Sequence, residues 1–128
     1  PWDFNHSLGQ NWYTARVEPT AYNEFEWNNA VFSQFLADPA MADALWGRLS
    51  DHRAADSALH PDVLRATVDG YYAEVEGSAV RDWDRWEAAY WEQFGWARTD
   101  RNGFVEERAW LERWIADRAE FMASVHGP

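Results

Sequence analysis

The longest periodic pattern of apolar residues lies between positions 60 and 94. Its members recur every three or four positions: Leu64, Val68, Tyr72, Val75, Ala79, Trp83, Trp86, Tyr90 and Phe94. This spacing places all of them on one face of an α-helix. His60 and Pro61 suit the N-cap and the first helical position, because proline lacks an N–H that the first turn would leave unbonded. The pattern predicts one long helix over 61–94, with a kink possible near Gly77, rather than a hairpin of two helices.

Three shorter amphipathic segments predict three further helices. Their ranges are 24–37, 39–51 and 105–125. Asp38 and Pro39 give the clearest helix start, because aspartate caps a first turn and proline fits its first position. Residues 1–23 show no helical period and should form an extended segment and a loop. The predicted fold class is all-α, with about four helices and one long central helix after a short extended N-terminal segment.

Aromatic side chains should supply most of the core. The chain has 128 residues, 47% of them hydrophobic, with 10 Trp and no Cys, so one helical domain over 1–128 can bury a sizeable core without disulfides. Five aromatics on the predicted apolar faces should be largely buried: Trp46, Trp83, Trp86, Trp114 and Phe121. Arg118 also falls on such a face. Its methylene groups should cover the apolar surface or its guanidinium should pair with a carboxylate, and a catalytic role is the less favoured alternative.

The charge distribution narrows the classes of partner. The net charge is −11, which argues against nucleic acid and anionic membranes, since both favour a basic face. No run of about 18 apolar residues occurs, so no membrane span is predicted. All 11 basic residues are arginine, so these residues contain no Walker-A lysine, Schiff-base lysine or phosphate-binding kinase lysine.

One carboxylate stands apart from those on the helix faces. Asp3 lies between Trp2 and Phe4 in the extended N-terminal segment. An aspartate in this setting can bind a metal, cap a turn or remain solvated, and spacing alone favours the last two. The four histidines lack the spacing of a zinc site. The residues by themselves therefore indicate an acidic helical domain and no particular chemistry.

The order of several motifs adds a family resemblance. The N-terminal segment reads Trp-Asp-Phe-Asn-His-Ser-Leu-Gly over 2–9, and further motifs follow at 35–41, 46–49, 81–86 and 110–122. Together they resemble the CotH family of spore-coat and secreted atypical protein kinases. The resemblance spans nearly all of this chain but only the C-terminal part of a family member.

The resemblance implies a kinase-like fold that transfers the γ-phosphoryl group of ATP to protein Ser with Mg²⁺ or Mn²⁺. Asp3 matches the metal-binding aspartate of the family. Asn5 stands where the family pattern often has a second acidic residue, and it can offer a carbonyl oxygen but no charge. No other catalytic or cofactor-binding residue is expected in this chain. The compartment implied is the spore coat, the secreted fraction or the cell surface.

On this interpretation the chain is a fragment of a longer protein. The nucleotide-binding lobe and the catalytic loop would precede Pro1, and that N-terminal kinase lobe and a protein substrate would be its partners. The isolated chain should be inactive and should bind neither ATP nor magnesium with useful affinity. The alternative function is a non-catalytic, Trp-rich helical scaffold or protein-interaction module.

Overall fold

The computed structural model describes residues 8–9, 16–21, 29–92 and 103–126. These residues contain four helices: α1 (Ala30–Ala37), α2 (Pro39–Arg53), α3 (Pro61–Glu92) and α4 (Phe104–His126). No strand occurs in this part of the chain. The all-α prediction is confirmed, and α3 is one helix of 32 residues that continues through Gly77. Within the described residues, no helix is long and apolar enough to span a membrane.

Side-chain caps determine where the first three helices begin. The Asp38 carboxylate accepts a hydrogen bond from the backbone N–H of Ala40 at 2.9 Å, and Pro39 follows as predicted. His60 caps α3 through its ring, since its Nδ1 accepts from the backbone N–H of Asp62 at 3.3 Å. Both helix starts that the sequence predicts are therefore present. The end of the predicted central helix, at 93–94, lies outside the described residues.

The predicted helix over 24–37 is wrong at Asn29. This residue has an extended backbone, with φ −134° and ψ 106°, so it cannot be inside a helix. Its side chain instead accepts from the backbone N–H of Val31 at 3.0 Å. Asparagine competes well as a cap because its side-chain oxygen replaces a missing backbone acceptor. The helix therefore begins at Ala30, and positions 24–28 lie outside the described residues.

Helices α3 and α4 pack against each other in antiparallel directions. The Arg108 guanidinium of α4 donates to Asp69 of α3 at 2.6 Å. One turn further along α3, the Tyr72 ring contacts Phe104, with ring centroids 4.7 Å apart. Later positions on α3 therefore meet earlier positions on α4. Helix α2 reaches α4 at its other end, where the Trp46 indole stacks on His126 with centroids 3.7 Å apart.

Burial within this packing is less complete than the aromatic content suggests. Among the described residues, Ile115 is the buried large side chain, at 3% exposure. Four of the five aromatics expected in the core are half-buried: Trp46, Trp83, Trp114 and Phe121. Trp86 is 47% exposed, so its predicted burial is wrong. The reason is that α4 begins at Phe104, opposite Tyr72, and the last turns of α3 extend beyond it.

Replacing Ile115 with alanine should lower the free energy of unfolding by about 2–5 kcal/mol, because buried methyl and methylene groups are lost and a void remains. Trp86→Ala should cost less although it removes a larger side chain, since much of that ring is already in water. Urea unfolding of both variants measures the difference. A larger loss for Trp86→Ala would contradict the packing described here.

Tyr72, at the α3–α4 interface, makes the stability of the fold depend on pH. Burial, and next the nearby charge of Glu107, raise the pKa of the Tyr72 hydroxyl. The folded state then holds this proton to higher pH than the unfolded state, so the associated stability is present below about pH 10 and is lost above it. Tyr72→Phe should therefore show a shallower fall in stability as the pH rises past about 10. Urea unfolding across this range measures it, and Tyr71→Phe, at a ring 66% exposed, controls for loss of a hydroxyl. Equal slopes for wild type and Tyr72→Phe would contradict the assignment.

Candidate functional site

The described parts of the N-terminal segment lie against one face of α4. Four side chains on that face contact the segment, and we name them the α4 platform: Glu107, Trp110, Trp114 and Arg118. Their spacing of three or four residues returns to the same side of a helix. The contacts join residues more than 90 positions apart in sequence, as between Arg16 and Glu107, which are separated by 91.

Arg16 attaches the segment at the N-terminal end of the platform. Its Nη2 lies 2.7 Å from Glu107 Oε1, and the two side chains are only 17% and 22% exposed. The same guanidinium lies over the Trp110 ring, 4.5 Å from its centroid. A partly desolvated pair of this kind is stronger than one on the open surface, and the aromatic face adds a cation–π attraction.

Trp114 and Arg118 hold the segment by its backbone carbonyls. Trp114 Nε1 donates to the carbonyl of Val17 at 2.7 Å. Arg118 Nη1 donates to two carbonyls, that of Pro19 at 2.8 Å and that of Ala21 at 2.5 Å. Burial lowers the pKa of Arg118, although arginine stays protonated at any ordinary pH. Arg118 therefore has a role that the sequence analysis did not consider, as a donor to the backbone of a distant segment.

The turn formed by Leu8 and Gly9 is fitted tightly to the platform. Both residues have positive φ, 52° and 83° respectively. A methyl group added at Gly9 would lie 2.5 Å from Trp110 and 2.7 Å from Trp114. The Gly9 carbonyl accepts from the backbone N–H of Val17 at 2.8 Å. This hydrogen bond connects the turn to residues 17–21, whose carbonyls bond α4. Glycine is therefore required at position 9 by both backbone conformation and space.

An apolar cavity of about 520 Å³ adjoins the platform. Residues of α2, α3 and α4 line it, and Leu8, Trp114 and Arg118 are among the lining residues. The volume is within the range of small-molecule pockets, about 300–1,000 Å³. Gly9 is thus packed against Trp110 and Trp114, while its neighbour Leu8 borders the cavity.

The two predicted metal ligands, Asp3 and Asn5, lie outside the described residues. Asp3 is five positions before Leu8, so the two Cα atoms can be at most about 18 Å apart. In the part of the chain that is described, no group of three or more His, Asp or Glu side chains could hold a metal ion.

The sequence matches the family model described as CotH kinase protein over residues 1–122. The chain belongs to the CotH kinase family. The match includes Asp3 and Asn5, and the whole α4 platform lies within it. A comparison of the CotH chain with curated proteins found no match, and a comparison with solved structures found none either.

Sequence reasoning missed most of this site in the CotH chain. It placed Trp114 among core residues, whereas the indole is also a hydrogen-bond donor, and it gave Gly9 only as the last residue of the motif over 2–9. One signal was available, because Trp110, Trp114 and Arg118 recur at intervals of four and so share a helix face. That spacing does not reveal which segment the face contacts.

Gly9→Ala should destabilise the CotH chain by at least about 1 kcal/mol, since a left-handed backbone and a clash with two indoles both oppose the methyl group. Gly47→Ala is the matched control, because nothing lies within 4 Å of the added methyl and Gly47 is inside α2. Alanine should there leave stability unchanged or raise it by up to about 1 kcal/mol. Thermal unfolding compares the two, and equal melting temperatures would contradict the fit of Gly9.

Proposed function

We propose that the chain is the helical C-terminal portion of a CotH protein kinase that transfers the γ-phosphoryl group of ATP to protein Ser. Membership of the family across residues 1–122 is the observation that carries this proposal. The chain contributes Asp3 as a metal ligand, with the side-chain oxygen of Asn5 as a second donor. The nucleotide-binding lobe and the catalytic loop belong to the N-terminal part of the kinase.

The donor atoms of Asp3 and Asn5 suit a hard divalent cation. Carboxylate and amide oxygens are ligands that Mg²⁺ and Mn²⁺ accept, whereas zinc sites use mainly nitrogen and sulfur. Two such residues cannot complete a six-coordinate shell, so water, phosphate oxygens and the N-terminal lobe supply the other ligands. A metal bound there neutralises phosphate charge during transfer.

The platform supports this role for the N-terminal segment. A metal ligand is useful when its position is fixed, because catalysis of phosphoryl transfer depends on positioning and on electrostatic stabilisation. Gly9, six positions after Asp3, is packed against Trp110 and Trp114. A segment that only connected other elements would not require such a fit.

Exposed apolar side chains support an N-terminal lobe as the partner of this chain. Several large side chains on α1 and α3 are well exposed: Val31, Phe32, Phe35, Tyr71, Val75, Trp86 and Trp91. Large apolar side chains left in water in this number are typical of a protein that has an interaction site. In the proposed kinase, the lobe that binds nucleotide covers part of it.

The same surface also favours the second candidate function, a non-catalytic scaffold that binds other proteins. Aromatic residues such as Trp86 and Trp91 are typical of protein interfaces. The two functions differ in what they require of Asp3, because a scaffold needs no metal ligand.

Asp3→Asn in the full-length kinase should lower phosphoryl transfer by at least about a hundredfold, since it removes the negative charge that faces the cation and keeps the shape. The melting temperature should hardly change. Autophosphorylation and thermal unfolding measure both, and Asp43→Asn, at an exposed position of α2, is the matched control. Activity within a few-fold of wild type would remove Asp3 from the metal site and favour the scaffold.

A further inference from the structure

We infer that the cavity lined by α2, α3 and α4 is a binding site for a small aliphatic carboxylate, a molecule with an apolar chain and one anionic end. The inference goes beyond the proposed kinase function and does not depend on Asp3 or on phosphoryl transfer. The size of the cavity, its apolar lining and the sign of the charges on that lining each point to this class of ligand.

The cavity is too large to be an ordinary packing defect. Its volume is about 520 Å³, whereas protein interiors contain few voids larger than a water molecule. Unfilled apolar space costs stability, because the side chains around it lose contacts. A cavity of about 150 Å³ lined by apolar side chains holds benzene. On the same scale this cavity has room for a ligand of roughly 12–20 non-hydrogen atoms.

The lining is apolar and is partly open to solvent. Ile115, at 3% exposure, borders the cavity, and the small side chains of Ala119 and Ala123 leave it unfilled. Leu8 and Leu59 also line it, although they are 38% and 44% exposed. An aliphatic chain in the cavity would remove these leucines from water, which favours its binding.

The charges on the lining favour an anion. The described residues that line the cavity include three basic ones, Arg53, His60 and Arg118, and no Asp or Glu. The chain as a whole has the opposite balance, with 22 acidic residues and 11 basic ones. The lining therefore attracts a carboxylate that most of the protein surface would repel.

Two of these basic residues lie at the ends of the α2–α3 connection. Arg53 is the last residue of α2, and His60 caps the first turn of α3. The backbone N–H of Leu59 donates to the carbonyl of His52 at 3.0 Å, so the sequence neighbours of Arg53 and His60 are directly bonded. The connection thus brings Arg53 and His60 to the same end of the cavity, where the positive end of the α3 dipole adds to their effect.

His60 can donate a hydrogen bond to the anionic end. Its Nδ1 accepts from the backbone N–H of Asp62 at 3.3 Å, so in the neutral ring the proton is on Nε2. The Asp62 carboxylate lies 3.8 Å from Nδ1, pairs with Arg65 and does not line the cavity. The acidic residue beside His60 is therefore on the Nδ1 side of the ring, which leaves Nε2 as the donor.

The test measures the binding of decanoate, 1-decanol and decyltrimethylammonium to the full-length protein. The three probes share an aliphatic chain and differ in the charge of the end group. Calorimetric titration gives the dissociation constants. NMR of decanoate that is isotopically labelled at the carboxyl carbon reports the pKa of the bound end group.

Decanoate should bind with a dissociation constant below about 1 mM, because its chain leaves water. Decanol should bind at least about fivefold more weakly, since it lacks the charge that the lining attracts, and the cationic probe should bind more weakly still. An apolar cavity without this charge preference would bind decanol better, because the alcohol loses less hydration. The pKa of the bound carboxyl should lie below that of free decanoate.

Two substitutions locate the ligand. Ala119→Leu fills the cavity and should weaken decanoate binding at least about tenfold while it keeps or raises the melting temperature. Ala66→Leu, at an exposed position of α3, is the matched control, and Ala123→Leu replaces Ala119→Leu if the latter lowers the melting temperature. Arg53→Met should weaken decanoate binding about fivefold and leave decanol binding nearly unchanged, whereas Arg48→Met, exposed on the same helix, should match wild type.

A decanoate dissociation constant above about 1 mM would overturn the proposal and would indicate that another part of the protein fills the cavity. Decanol or decyltrimethylammonium binding as tightly as decanoate would overturn the assigned ligand class. Decanoate binding that neither Ala119→Leu nor Ala123→Leu weakens would place the ligand outside the cavity and would overturn the site itself.

Discussion

The hydrogen bonds from Trp114 and Arg118 to the backbone of residues 17–21 are the interaction on which the candidate site depends. They specify the path of a segment that has no helix or strand of its own in the described residues. Because they are made to carbonyl oxygens, they do not depend on the side chains of that segment. The same helix face leaves room for Gly9 and for no larger residue. The position of residues 17–21 is therefore determined by a helix more than 90 residues away in sequence.

Helix α4 can serve as a platform because α3 holds it in place. Arg108 donates to both Asp69 and Glu112, and these two hydrogen bonds raise its pKa. The chain has no lysine. Arg108 and Arg118 each donate to two acceptors, and Arg16 combines an ion pair with an aromatic contact. A planar guanidinium with five donors suits such shared contacts better than a single ammonium group. Arginine thus contributes to each connection between α3, α4 and the N-terminal segment, although the chain is acidic as a whole.

Local rules predicted the parts of the fold that depend on neighbouring residues. The caps at Asp38 and His60 and the continuity of α3 follow from residues within one or two helical turns, and these predictions were right. The helix start at Asn29 was missed, because the sequence does not show whether an asparagine within an apolar pattern lies inside a helix or caps its N-terminus. Trp86 was assigned to the core because periodicity identifies a helix face but not the length of the helix packed against it. The roles of Gly9 and Arg118 arise from contacts distant in sequence, which neither periodicity nor motif spacing contains.

The central proposal is that Asp3 binds the metal of a CotH kinase, in a segment whose described residues, 8–9 and 16–21, pack against α4. A crystal structure of the full-length kinase with Mn²⁺ and a non-hydrolysable ATP analogue tests it most directly, because anomalous scattering locates the ion. The account predicts Mn²⁺ at about 2.0–2.3 Å from an Asp3 carboxylate oxygen, with Gly9 packed on Trp114 and the Val17 carbonyl bonded to its Nε1. An ion bound to the phosphates without Asp3, or a nucleotide complex in which residues 8–9 and 16–21 have left α4, would contradict it.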